Sequence, residues 1–111
     1  MAEAIKVSII KDQDLFYYIK NNAKAINNCD MMILETIIRQ SAKLHMDHIC
    51  LGGDPFEKGS SRPLDFGHWS AHKLESITKH EVKHGEAVAM GIALDAFAAV
   101  KLGLINEDTC N

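Results

Sequence analysis

Both prolines of the chain, Pro55 and Pro63, fall inside one short stretch, GGDPFEKGSSRP, and elsewhere the apolar residues recur at helical spacing. A proline lacks a backbone donor and biases the residue before it toward extended geometry, and this stretch is also dense in Gly, Ser and Asp. It therefore predicts a loop between two helical halves, and the rest predicts an all-α fold. With 111 residues, 47% of them hydrophobic, the chain has enough apolar surface for one modest core. The expectation is a single helical domain over residues 1–111, built as a bundle.

Residues 2–10, AEAIKVSII, read as the end of a helix already under way, because no capping residue precedes them and the start reads as cut. Asp12 or Asp14 can cap a second helix in which Leu15, Tyr18 and Ile19 share a face, and Asn21 and Asn22 weaken it. Asp30 caps a longer helix to about Leu51, with Ile33, Ile37 and either Leu44 or His45 on a related stripe. A fourth helix runs from Gly67 to about Thr78. A link through Lys79, His80 and Glu81 leads to a fifth, HGEAVAMGIALDAFAAVKLG, rich in small residues. Gly91 inside it costs roughly 1 kcal/mol against Ala, so its presence predicts close packing. Gly103 ends this helix, and Asn106 can cap a last one that the chain end truncates.

The net charge of −3, with Lys and Arg spread along the chain, gives no footprint for nucleic acid. Cys29, Cys50 and Cys110 are an odd, widely spaced set without a CxxC pair, which fits a reducing compartment. No basic segment followed by an apolar one opens the chain, and the longest apolar run, Ala87 to Leu94, stops at Asp95, far short of a membrane span. The expected location is the cytoplasm, with no membrane partner.

His68, His72 and Glu75 follow one another at helical intervals of four and three, so the three side chains share a face. They can converge on a cation, for which zinc suits nitrogen and carboxylate donors, or form a polar helix face with incidental histidines. His84, followed by Gly85 and Glu86, opens the next helix and can aim its ring back at the first, so that two helix starts share a metal. Each imidazole then needs an acceptor on its other nitrogen, and Asp65, Glu75 and Glu86 are the available ones. Glu3 and Lys6, three apart, read either as a surface ion pair or as a carboxylate completing a metal site beside an ammonium aimed at an anionic ligand.

The segments AEAIK, DFGHWSAH and HGEAVAMGIAL, in that order and at fitting separations, resemble the C-terminal domain signatures of dehydroquinate synthase and its sugar phosphate cyclase relatives. The likeness spans nearly the whole chain. It implies Glu3, His68 and His84 as ligands of a catalytic zinc, moves His72 from ligand to the substrate side, and leaves Glu75 a structural or supporting role. It implies Lys6 as a substrate contact and places Asp54 and Arg62 in the loop that faces the substrate. Three departures stand out. His45, Asp47 and His48 occupy the region where relatives carry a lysine, and Arg62 is displaced by about one position from the usual arginine. Asp65 also replaces an asparagine ahead of the Gly-His pair; a carboxylate there repels an anionic substrate unless hydroxyls face it, which points to a different sugar phosphate, such as those closed to valiolone-type rings.

The resemblance further implies a lyase cycle: NAD oxidises a substrate hydroxyl, phosphate is eliminated, the ketone is reduced and the opened sugar closes by an intramolecular aldol step. NAD is expected to bind mainly to an N-terminal α/β domain, which lies outside this chain; no GxGxxG occurs here, and Gly52 with Gly53 reads as a loop pair. The end at Asn111 falls short of the family's last helices. The chain is thus expected to be inactive alone, with that domain, a sugar phosphate and a second copy as the expected partners. The competing readings are a stand-alone helical module that binds a metal or partner without catalysis, and an inactive remnant that pairs with a full-length relative through the Ala-rich face from Ala87 to Ala99.

Overall fold

In a computed structural model of the chain, the described residues are 1–52, 58 and 62–106. Among them the structure is all-α: α1 (Ala2–Lys11), α2 (Gln13–Asn21), α3 (Ala23–Asn27), α4 (Met31–Leu51), a 3-10 turn (Pro63–Asp65), α5 (His68–Ile77) and α6 (His84–Lys101). None of these helices is long and apolar enough to cross a membrane. The chain divides into two compact units, one covering Glu3–Leu64 and the other running from Asp65 onward. The loop expected around Pro55 and the cap expected from Asn106 lead into segments outside the described residues.

In the first unit a single aspartate makes the turn between two helices. Asp12, at φ −153°, ends α1 by donating its N–H to the Ser8 carbonyl at 2.9 Å and opens α2 by accepting the Leu15 N–H on Oδ1 at 3.0 Å. Of the two aspartates open to the role, Asp12 holds it. The amphipathic spacing of α2 then buries Leu15 and Ile19 against Ile37 of α4, with Tyr18, Ile26, Ile33 and Leu44 packed around them. Burying each of these large side chains contributes roughly 1.5–3 kcal/mol. Between α2 and α4 the chain does not simply unravel after Asn22. The Asn22 Nδ2 donates to the Tyr18 carbonyl at 2.8 Å, and a five-residue helix follows. Cys29, at φ 56°, reverses the chain, and Asp30 caps α4 as expected, accepting the Met32 and Ile33 N–H groups at 3.0 and 3.2 Å.

In the second unit the start of α5 lies directly on α6. A Cβ placed on Gly91 would stand 1.9 Å from the Gly67 carbonyl oxygen and 2.8 Å from Ser70 Oγ, so only glycine permits this approach. Gly67 faces the same restriction: its φ of 76° suits glycine, and a Cβ there would meet Ile92 at 2.7 Å. The close contact that Gly91 predicts is therefore present, and Ala71, Ala87, Val88 and Ile92 form a small buried cluster beside it, with Phe66, Leu74 and Val82 packed against them. The side of α6 carrying Ala87, Val88, Gly91 and Ile92 is covered by α5, while Met90, Leu94 and Phe97 stay exposed. Lys79 and His80, both at positive φ, turn the chain from α5 toward α6, with the His80 N–H donating to the Glu75 carbonyl at 2.8 Å.

Two substitutions test this account by chemical denaturation followed by circular dichroism. Gly91→Ala should lower stability by about 2 kcal/mol despite alanine's better helix propensity, because the new methyl meets backbone that cannot move aside; an unchanged midpoint would contradict the packing. Asp30→Ala should cost about 1 kcal/mol through loss of the α4 cap, while Asp30→Asn should cost little.

Candidate metal centre

Three imidazoles gather in the second unit because two helices begin there. His68 is the first residue of α5, His72 lies one turn further on, and His84 is the first residue of α6. Their ring centres stand 5.7 Å (His68 to His72), 5.5 Å (His68 to His84) and 6.0 Å (His72 to His84) apart. Imidazoles bound to one tetrahedral ion through nitrogens about 2.1 Å from it have ring centres roughly 5 Å apart, so the spacing is close to what a shared cation needs.

Hydrogen bonds orient two of these rings. His68 Nδ1 lies 3.3 Å from the Phe66 carbonyl oxygen. A carbonyl only accepts, so in this hydrogen bond Nδ1 is the donor. His84 Nδ1 lies 3.2 Å from Glu75 Oε1 and can donate to that carboxylate in the same way. A neutral imidazole held by an acceptor on one nitrogen is the form that binds a divalent ion through the other, so this donor set fits zinc. Of the three acidic side chains open to this supporting role, Glu75 takes it for His84. Glu86 instead accepts the Lys83 N–H at 3.1 Å and caps α6, and a main-chain carbonyl serves His68.

Asp95 positions the start of α5, a role that sequence spacing does not reveal. Its Oδ2 accepts the Gly67 N–H at 2.7 Å, anchoring the residue directly before His68. The signal was present in the sequence as the one acid interrupting an apolar helix, but nothing local said what it would bind.

In the first unit Glu3 and Lys6 pair on α1. The Lys6 side chain is 3% exposed, and its Nζ also donates to the Leu64 carbonyl at 2.8 Å, so this lysine is held by a main-chain oxygen as well as by its ion pair. Arg62 and Asp65 are exposed, Asp65 closing the 3-10 turn ahead of Phe66. Asp54 lies outside the described residues.

The Asp95 contact is testable by urea denaturation. Asp95→Ala should destabilise the chain by about 2 kcal/mol, the range for losing a charged acceptor from a backbone donor. Asp95→Asn, which keeps an acceptor, should recover most of that loss; equal stability of all three proteins would remove Asp95 from the account.

Comparison with known proteins covers the same ground. Residues 1–111 match the family described as 3-dehydroquinate synthase C-terminal. The chain is 38% identical over 110 residues to a bifunctional 3-dehydroquinate synthase/phosphatase of Fusobacterium nucleatum, covering 97% of this chain and 16% of that protein. It is 37% identical over 111 residues to a 3-dehydroquinate synthase of Crocosphaera subtropica, covering 97% and 30%. It is 33% identical over 106 residues to a 2-epi-valiolone synthase of Actinosynnema mirum, covering 95% and 27%. The chain thus spans less than a third of the length of each of these relatives. No solved structure matches it significantly. The helical fold, the three motifs and this likeness agree, and the chain belongs to the 3-dehydroquinate synthase C-terminal domain family.

Proposed function

We propose that the chain supplies the metal ligands and part of the substrate site of a cytoplasmic, NAD-dependent sugar phosphate cyclase, a lyase that eliminates phosphate and closes a carbocycle by an aldol step. The observation that carries the reading is the pair of oriented imidazoles, His68 and His84, which open two helices at the family's own motifs. In this reading Glu3, His68 and His84 hold a divalent zinc, and NAD is held mainly by an N-terminal domain that accompanies this one in the complete enzyme. When bound, zinc polarises the substrate oxygen at the carbon that NAD oxidises and reduces again.

The remaining roles follow from side-chain chemistry. Lys6, fixed through Glu3 and the Leu64 carbonyl, offsets the charge of an anionic substrate with little loss of side-chain entropy, since its stem is already buried. His72 is exposed beside the two ligand histidines and can hold or move a proton at its ring nitrogen near the reacting centre. Asp54, Arg62 and Asp65 contact the substrate. Arg62 favours an oxyanion group, whereas the carboxylate of Asp65 accepts hydrogen bonds from hydroxyls and disfavours a substrate carboxylate. That preference leans toward a polyhydroxylated sugar phosphate, the choice consistent with likeness to a 2-epi-valiolone synthase as well as to 3-dehydroquinate synthases. In this reading hydride transfer belongs to the nucleotide-binding domain, and a second copy is a partner of the complete enzyme.

Zinc content separates this reading from a metal-free helical module. Protein purified without added metal should retain about one equivalent of zinc, the behaviour of a site with preformed ligands. After dialysis against a weak chelator, His68→Ala and His84→Ala should each retain much less zinc than the parent while circular dichroism stays unchanged, a difference in affinity rather than in the capacity to take up added metal. Equal zinc in the parent and both variants would reject these ligands.

A further inference from the structure

The second unit contains a second donor set, which shares His84 with the proposed catalytic one. His72, Glu75 and His84 each offer a ligand atom, and these atoms lie within 4.8 Å of one another. His72 and Glu75 are three residues apart on α5 and so share its face, while His84 comes from the first turn of α6. The His72 and His84 rings lie nearly parallel, 25° between planes, with centres 6.0 Å apart. Glu75 is the most enclosed of the three: its side chain is 14% exposed against 52% for His84, and its Oε1 sits 3.2 Å from His84 Nδ1. Without an ion this contact is the Nδ1–H···Oε1 hydrogen bond; a divalent cation between the two atoms takes the place of the Nδ1 proton, and two donors on one tetrahedral ion with bonds of about 2.1 Å stand roughly 3.4 Å apart, close to the separation present.

From this geometry we infer that His72, Glu75 and His84 form a second divalent-cation position, a two-imidazole, one-carboxylate set built wholly within the α5–α6 unit. Such a set leaves a fourth place for water and suits zinc or cobalt better than calcium or magnesium, which favour oxygen donors. Because His84 belongs to both sets, an ion bound here competes with one held by His68. Excess metal would then draw His84 away from the catalytic arrangement and inhibit the complete enzyme. The inference shares His84 with the proposed function but does not rest on it, since His68 variants probe one set and His72 or Glu75 variants the other.

The test is a titration of the full chain with Co2+ alone, read by visible absorption and by isothermal calorimetry. His68→Ala removes the catalytic set and leaves the second one whole, so this variant should still bind about one equivalent of Co2+, with the intense visible bands of a low-coordinate site. Adding His72→Ala or Glu75→Gln to it should each weaken binding by about tenfold or more. The inference is overturned if the His68 variant binds no Co2+, or if either double variant binds as tightly as the single one. A change on Glu75→Gln alone would mean that the carboxylate only orients His84, and it too would overturn the site. Should His68→Ala fail to fold by circular dichroism, His68→Gln, which keeps a polar side chain of similar length, takes its place as the background.

Discussion

The approach of α5 to α6 at Gly67 and Gly91 is the contact on which the candidate chemistry depends. Two backbones meet where neither position can carry a Cβ, and Asp95 secures the same point by accepting the Gly67 N–H. His68 is the next residue. Its place is therefore set by main-chain packing and one charge-assisted hydrogen bond rather than by its own side-chain preferences. Ala71, Ala87 and Val88, fully buried, lie on the same two helices as the histidines and hold those helices together.

The orientation of the imidazoles follows from the same economy. A carbonyl two residues before His68 and a carboxylate nine residues before His84 each hold a ring by Nδ1. Acceptors of this kind favour the tautomer that donates from Nδ1 and restrict the rotation of each ring. Elsewhere much apolar surface is uncovered. Met31, Met32, Ile38 and Leu51 on α4 are between 66% and 80% exposed, more than a chain of this size needs to leave open. The chain spans less than a third of the length of these relatives, which themselves carry further polypeptide beyond the matched region.

The helices that rest on local chemistry were legible in the sequence. Asp30 followed by an apolar stripe gave α4 its limits to within a residue, and Gly91 announced a close crossing. The His68 and His84 helix starts were legible too, because each lies in a compact motif. What escaped depends on partners distant along the chain. The short helix after Asn22 forms because a side-chain amide bonds back to the preceding turn, where asparagine alone suggests an ending. Glu75 meets His84 because Lys79 and His80, both at positive φ, fold α6 back beside α5, a backbone region that residues other than glycine seldom enter and that no local signal announces here. The Asp95 contact likewise spans 28 residues and has no local signature.

The central claim is that this domain holds a divalent ion through oriented histidines. Zinc K-edge X-ray absorption on the chain loaded with a single equivalent measures the ligand shell directly. The account predicts nitrogen and oxygen donors near 2.0–2.1 Å with the outer-shell scattering of two imidazoles. A shell containing cysteine sulfur near 2.3 Å, or one without imidazole scattering, would contradict it.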